Sequence, residues 1–280
     1  MLLSGISGLS ILAAAWICIL SGIGLHWLWL LPVSFAGSFL GLLILSLLFL
    51  LAACLLIDTR KPQLHDSKFY RNLVGLYGPM VLTIGGARFH TRGLEQIPKS
   101  GRFLLVCNHL HEADPVVLLK YFPKSQVAFI GKRETKDMFL IGPLMHKMMC
   151  QLINRENDRE ALKTILECIR LIKEDEVSIG VFPEGYIMPD RKLHRFRSGV
   201  FKIATKTRVP IVVCTITNTH HIIKNLLHLK PTHIDLHLLK VITPEEYADK
   251  TTVEIADEVY HMMAEDLGPE RVSQEEEEIS

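Results

Sequence analysis

The sequence predicts an α/β fold: a mainly parallel sheet flanked by helices, preceded by an N-terminal hydrophobic helical hairpin in the membrane. Three observations carry this. Strand-length apolar runs alternate with helical periodicity between about residues 87 and 217, the pattern of parallel strands joined by crossover helices. Residues 1–57 contain no Asp, Glu, Lys or Arg, so all 31 basic and 30 acidic residues lie beyond them. The remainder has the composition of a soluble domain and is long enough to bury an ordinary core. Two domains are therefore expected, a membrane hairpin over 1–57 and a cytoplasmic α/β domain over 58–280.

The N-terminal stretch exceeds the ~20 apolar residues that cross a bilayer core. Pro32, with Ser34, Gly37 and Ser38, breaks it near the middle, which gives helices over about 6–31 and 35–57. A signal peptide fits less well, because the basic leading region is missing and the apolar run continues far past the ~7 to 15 residues such a peptide carries. A buried soluble hairpin fits less well still, since helices apolar on every face need lipid or a very large protein around them. Arg60, Lys61, Lys68 and Arg71 are the first basic residues after the second helix, and the positive-inside rule keeps the domain beyond them cytoplasmic. A hairpin dipping into one leaflet would leave the same sequence. His26 receives no role.

From 66 to 77, Phe69, Leu73, Leu76 and Tyr77 recur at helical spacing between Lys68, Arg71 and Asn72. This suits an amphipathic helix, either at a membrane surface or packed on the core, ended by Gly78-Pro79. A short extended piece at 87–91 comes next, and Lys99-Ser100-Gly101 turns the chain into an apolar strand at 103–106. Further strands are expected at 127–130, 177–182 and 210–217. Between them, Leu162, Ile165, Leu166, Ile169 and Ile172 form one face of a helix, opened by Asn157 with Glu160 three residues on as a capping box. A last helix covers 253–267, and the acidic tail at 275–278 has the composition of a disordered end.

The residues just after each strand are more informative than the strands themselves. The first strand leads into Cys107-Asn108-His109-Leu110-His111-Glu112-Ala113-Asp114-Pro115. A buried strand that delivers an imidazole, with a carboxylate five residues on, supplies a general base and the group that orients it. If a helix begins near Glu112, Asp114 folds back toward Nδ1–H of His109 and leaves Nε2 free to take a proton. Two other readings stand beside this one: a metal site of His109, His111 and Asp114, and a helix cap by Asn108 or Asp114. The second strand ends at Gly131-Lys132-Arg133-Glu134 and the third at Pro183-Glu184-Gly185. Ligands of open α/β sheets bind outside the carboxyl ends of strands, so one cleft would gather a base, cations and a Gly-containing turn.

The stretch 191–208 holds Arg191, Lys192, Arg195, Arg197, Lys202, Lys206 and Arg208 and no acidic residue. Such a run points to a polyanionic partner, or else to a solvated face. Nucleic acid is a poor candidate beside a membrane hairpin and with only Phe196 and Phe201 as aromatics. Phosphate on a lipid, a nucleotide-containing thioester carrier or anionic headgroups suit it better. His220, His221, His228, His233 and His237 invite a zinc reading, but their apolar neighbours are those of ordinary helix and strand packing. The six scattered Cys, without a CxxC, read as reduced buried thiols.

Four blocks of the chain, in order, resemble the lysophosphatidate (1-acyl-sn-glycerol-3-phosphate) acyltransferases of the glycerolipid acyltransferase superfamily. They are Asn108-His109 with Asp114, the stretch from Gly142 through Gln151-Leu152-Ile153-Asn154-Arg155, Phe182-Pro183-Glu184-Gly185, and Val209-Pro210-Ile211-Val212. Lys132 and Glu134 resemble a Lys-x-Glu pair placed between the first two. The resemblance implies that His109, held by Asp114, deprotonates a free glycerol hydroxyl, which attacks the thioester of acyl-CoA or acyl carrier protein, with no covalent acyl-enzyme, cofactor or metal. It also implies that Arg155, Glu184, Gly185 and Lys132 position the acceptor's phosphate and glycerol, and that 209–212 supports the acyl site. Met138, Phe139, Leu144, Met145, Met148 and Met149 are expected either to wall the acyl chain or to pack in the core.

One departure stands out. The third block usually continues with Thr and then Arg, where this chain has Tyr186 and Ile187. Arg197, where a Lys is common, would supply a cation in compensation. The expected activity is acylation of lysophosphatidate to phosphatidate at the membrane's cytoplasmic face. The alternatives are the same chemistry on another lysophospholipid or an amino-acid-containing lysolipid, and a non-catalytic adaptor that binds anionic lipid.

Overall fold

A computed structural model describes residues 1–20 and 29–274. His26 and the tail at 275–278 lie outside the described residues, as does part of the first expected helix. The chain divides into two compact units, Met1–Lys61 and Pro62–Ser280.

The first unit is a pair of helices, α1 (Leu2–Leu20) and α2 (Leu30–Leu55). Ile6, Ser10 and Ala14 recur every four residues and are buried, and the Ser38 hydroxyl donates to the Ser10 carbonyl at 3.4 Å. Small residues at this spacing let helices approach closely. The outward faces, including Leu9, Trp16, Ile19, Leu45 and Leu48, are apolar and exposed, a surface suited to lipid. The expected break at 32–38 is absent: Pro32 lies in the first turn of α2, where the missing N–H has no helical partner to lose.

In the second unit α3 (Lys68–Ile84) leads into β1 (Ala87–Arg92), β2 (Leu104–Cys107), α4 (Asp114–Tyr121) and β3 (Val127–Lys132). Then come α5 (Ile141–Lys147), β4 (Gln151–Ile153), α6 (Asp158–Lys173), β5 (Ser178–Val181), α7 (Lys202–Thr207) and β6 (Ile211–Ile216). The chain closes with α8 (Ile222–Leu227), β7 (Thr232–Ile242) and α9 (Thr252–Leu267). The sheet runs β1-β7-β6-β2-β5-β3-β4. Five neighbours, β6, β2, β5, β3 and β4, are parallel, and β7 turns the direction by pairing antiparallel to β6. This is the mainly parallel α/β sheet that the alternation of runs predicts.

Strand pleating explains the continuous apolar runs. Leu104 and Val106 of β2 point to a core shared with α6, α7 and α9, while Phe103, Leu105 and Cys107 point to one shared with α3, α4 and α8. β6 divides the same way, with Ile211 and Val213 on one side and Val212, Cys214 and Ile216 on the other. A strand covered on both faces has no polar side to show. Burying each such side chain contributes about 1.5–3 kcal/mol.

Two local expectations need correction, and one open alternative is decided. α3 does not stop at Gly78-Pro79 but runs through it, because Gly78 lets the helix meet α4: a Cβ there would lie 2.8 Å from Val116 Cγ1. The same helix packs on the domain, with Leu73 and Tyr77 buried and Arg71 in a buried ion pair with Asp66 at 2.6 Å. At the start of α6, Asn157 caps the Arg159 and Glu160 amides as expected. The Glu160 carboxylate, however, accepts from Asn154 Nδ2 at 2.9 Å and from Arg133 at 3.3 Å. The reciprocal box forms instead at α9, between Thr251 and Glu254.

Candidate active site

The five parallel strands end on one edge of the sheet; Asn108, Arg133, Asn154 and Thr217 directly follow four of them, and Glu184 follows β5 after Phe182-Pro183. β4, the strand too short to be read from sequence, is the one that brings Arg155 to this edge.

The segment after β2 is fixed atom by atom. Asn108 is no helix cap: its Nδ2 donates to the Ile216 carbonyl at 2.9 Å and its Oδ1 accepts from the Ile216 amide at 2.8 Å, which extends the β2–β6 pairing by one residue. His109 comes next. Its Nδ1 lies 2.8 Å from Asp114 Oδ2, which also accepts the backbone amides of Leu110 at 2.7 Å and His111 at 2.8 Å. An oxygen already taking two N–H groups faces Nδ1 as an acceptor, so Nδ1 carries the ring proton and Nε2 presents a lone pair. Asp114 is fully buried at the first position of α4, where a carboxylate suits the helix dipole. The imidazole plane is held as well, stacked on Phe182 at 4.0 Å and 16°, and Phe182 stacks in turn on Phe129 at 5.7 Å.

Glu184 is turned inward. Its Oε1 accepts the His109 amide at 2.8 Å and its Oε2 the His194 amide at 3.1 Å, so both oxygens brace backbone and neither faces the cavity. Burial pushes its carboxyl up to about 8, against the lowering effect of those two amides. His194 is held in turn by Asp190, whose carboxylate lies 3.0 Å from Nε2. Arg191, from the basic run, donates to the Leu110 carbonyl at 2.6 Å and ties down the loop behind His109.

Beside Phe182 opens a cavity of about 550 Å³. Arg155, Arg197 and Lys202 give it a cationic part, and Ile130, Leu162 and Val200 are among its apolar lining. Tyr186 organises the cations, with the Arg155 guanidinium 4.6 Å and the Arg197 guanidinium 5.3 Å from its ring centroid. The electron-rich ring face offsets repulsion between the two charges. Burial lowers the Arg155 pKa, and the neighbouring Arg197 lowers it further. Gly185, at φ +83°, leaves room for Arg197: a Cβ there would sit 3.1 Å from Nε.

Of the residues singled out from sequence, the structure joins His109, Asp114 and Glu184 through direct hydrogen bonds and gathers Arg155, Gly185 and Arg197 at the cavity. Lys132 ends β3 with its side chain exposed and does not line the cavity. Of the methionine-rich stretch, Met148 and Met149 pack in the core, the second of the two expected readings, Phe139 is exposed, and none of the six residues lines the cavity. Two contributors are missing from the sequence reading, Phe182 as the plate under the imidazole and Tyr186 as the plate between guanidiniums. An aromatic at each side of Pro183-Glu184-Gly185 was the available signal. Chemically, the site offers a base with a fixed tautomer and a cavity for a molecule that is anionic at one end and apolar at the other.

Comparison with known proteins agrees with this reading. A family model described as Acyltransferase matches residues 88–217. A probable 1-acyl-sn-glycerol-3-phosphate acyltransferase of Mycoplasma pneumoniae is 33% identical over 162 residues, 56% of this chain and 58% of that protein. The 1-acyl-sn-glycerol-3-phosphate acyltransferase of Cocos nucifera is 26% identical over 78% of this chain and 69% of its own length. Thus the match spans less than two thirds of the Mycoplasma protein. The crystal structure of the 1-acyl-sn-glycerophosphate acyltransferase from Thermotoga maritima shares the fold, with a TM-score of 0.61 over 78% of this chain and 86% of that one at 23% identity.

Proposed function

We propose that this chain, similar to 1-acyl-sn-glycerol-3-phosphate acyltransferases and matched over 88–217 by an acyltransferase family model, acylates the free hydroxyl of lysophosphatidate from an acyl thioester, giving phosphatidate. The observation that carries the proposal is the His109–Asp114 pair at 2.8 Å, at the strand edge beside a cavity that is cationic in one part and apolar in another.

In this mechanism Nε2 of His109 takes the proton of the acceptor hydroxyl as its oxygen attacks the thioester carbonyl. Asp114 keeps the ring in the right tautomer and steadies the imidazolium that forms. The tetrahedral adduct collapses with cleavage of the C–S bond, and the imidazolium returns its proton to the departing thiolate. The products are the acylated lipid and the free thiol of acyl-CoA or acyl carrier protein. Arg155 and Arg197, spaced by Tyr186, bind the acceptor's phosphate, a recognition for which guanidinium forks are well shaped. Gly185 keeps Arg197 in place, and Glu184 acts as a buried brace beneath His109.

Membrane attachment through α1 and α2 suits a lipid acceptor, and Arg60, Lys61 and Lys68 favour a cytoplasmic active domain. Another lysolipid as acceptor is a second reading, motivated by Tyr186 and Ile187 in place of Thr and Arg. The test is the purified protein offered a panel of lysolipids with an acyl thioester donor. Phosphatidate should be the main product; rapid acylation of another lysolipid without phosphatidate would replace the first reading by the second, and lipid binding without any turnover would leave only an adaptor.

A further inference from the structure

The end of α3, the outer face of α8 and the turn after α8 leave apolar side chains on the surface. Val81 and Ile84 are more than half exposed, as is Ile223, while Leu227 is 78% and Leu229 92% exposed. These positions form one neighbourhood: a Cβ on Gly85 would lie 3.0 Å from Ile222 Cγ2, and one on Gly86 would lie 3.4 Å from the Lys230 carbonyl. Leu229 also has φ +54°, so an apolar residue occupies a strained turn conformation and points away from the core. A folded monomer rarely keeps a contiguous apolar surface of this kind without a partner for it.

Topology says where the patch lies. α8 leaves β6 at its carboxyl end and returns into β7, and α3 enters β1 beside the start of β7. α8 and the C-terminal end of α3 therefore sit at the sheet edge that carries His109. The charge around the patch is one-sided: Lys224 and Lys230 flank it and are exposed, and no Asp or Glu occurs at 68–94 or 218–234. Apolar side chains that insert, with lysines beside them and no carboxylate to repel phosphate, match the interface of an anionic bilayer.

We infer that this edge of the α/β domain docks on a lipid surface through Ile223, Leu226, Leu227 and Leu229, with Val81 and Ile84, in addition to the N-terminal helices. The surface then delivers the lipid acceptor to the edge where the base stands, a consequence that rests on the proposed function. The docking itself does not.

Full-length protein in nanodiscs of phosphatidylcholine and phosphatidylglycerol, carrying an environment-sensitive fluorophore on Leu229→Cys, tests it. The expected result is a blue-shifted emission that brominated lipids quench several-fold, while the same probe on Lys163→Cys of α6 is unaffected. A water-like emission at position 229, or a blue-shifted one that brominated lipids leave unquenched, as a second protein copy would give, overturns the inference. As a second arm, Leu227→Glu with Leu229→Glu should slow acyl transfer several-fold in vesicles but not with substrates dispersed in detergent; equal rates in vesicles also count against docking. If the wild type transfers no acyl group, the proposed function fails and the fluorescence arm still decides the docking.

Discussion

Asp114 Oδ2 takes three hydrogen bonds, from the imidazole and from two amides of the segment that carries it. The same atom therefore shapes the loop and fixes the tautomer, so Asp114→Asn should lower kcat strongly and leave acceptor KM much less changed. Equal losses in a variant whose melting temperature also collapses would mean the loop role dominates. Tyr186 acts through its ring, so Tyr186→Phe should behave as wild type, whereas Tyr186→Leu should raise acceptor KM roughly fivefold, the equivalent of about 1 kcal/mol for a cation–π contact. Unchanged KM in Tyr186→Leu would detach the ring from phosphate binding.

Glu184 predicts a pH dependence of stability. Its folded carboxyl is raised from the ordinary value of 4.5 to about 8, so between those limits the folded protein holds a proton that the unfolded chain releases. Its contribution is complete below pH 4.5 and is lost as pH rises toward 8. Glu184→Gln cannot ionise, so its melting temperature should fall less than the wild type's between pH 5 and 8, even though Gln can accept only one of the two amides. Parallel curves would show that burial does not control this group.

At the scale of elements, the stack Phe129–Phe182–His109 connects sheet packing to chemistry. Gly180 on β5 makes room for it, since a Cβ there would lie 2.5 Å from the Phe129 ring. Gly180→Ala should cost about 1–3 kcal/mol of stability through overpacking, and should reduce turnover beyond that by displacing the ring beneath the imidazole. Denaturant melts and kcat measured on the same preparation separate the two effects. The elements themselves were readable to differing degrees. The runs that became β2, β3, β5 and β6 announced themselves because burial on both faces leaves few polar residues, such as the buried Ser178 and Thr215. β4, three residues long, has no periodicity to read, and α3 overran Gly78-Pro79 because its contact with α4 is decided in space rather than along the chain.

For the whole molecule, the charge-free 1–57 and the mixed remainder correspond to two kinds of surface, one apolar on its outward faces and one that buries most of its apolar residues around a sheet. The His109–Asp114 pairing was legible because its partners are five residues apart, within the reach of one turn. The relations that stayed hidden were those between distant residues: Asn108 with Ile216, Glu184 with the His109 and His194 amides, and Tyr186 with two arginines from different loops. Arg71 shows the same limit, for it reads as an interfacial cation and is instead a brace that also donates to the Val127 carbonyl at 2.9 Å. The basic run 191–208 is similarly divided, with Arg191 holding the loop, Arg195 3.7 Å from Asp257, and Arg197 and Lys202 at the cavity.

The most direct measurement is the initial rate of phosphatidate formation from lysophosphatidate and an acyl thioester by purified wild-type protein and by His109→Ala, with equal folding and membrane recovery verified. A base of this kind contributes about 10²- to 10⁴-fold, so the variant's kcat should fall by that factor. A variant that forms phosphatidate at the wild-type rate would contradict the account.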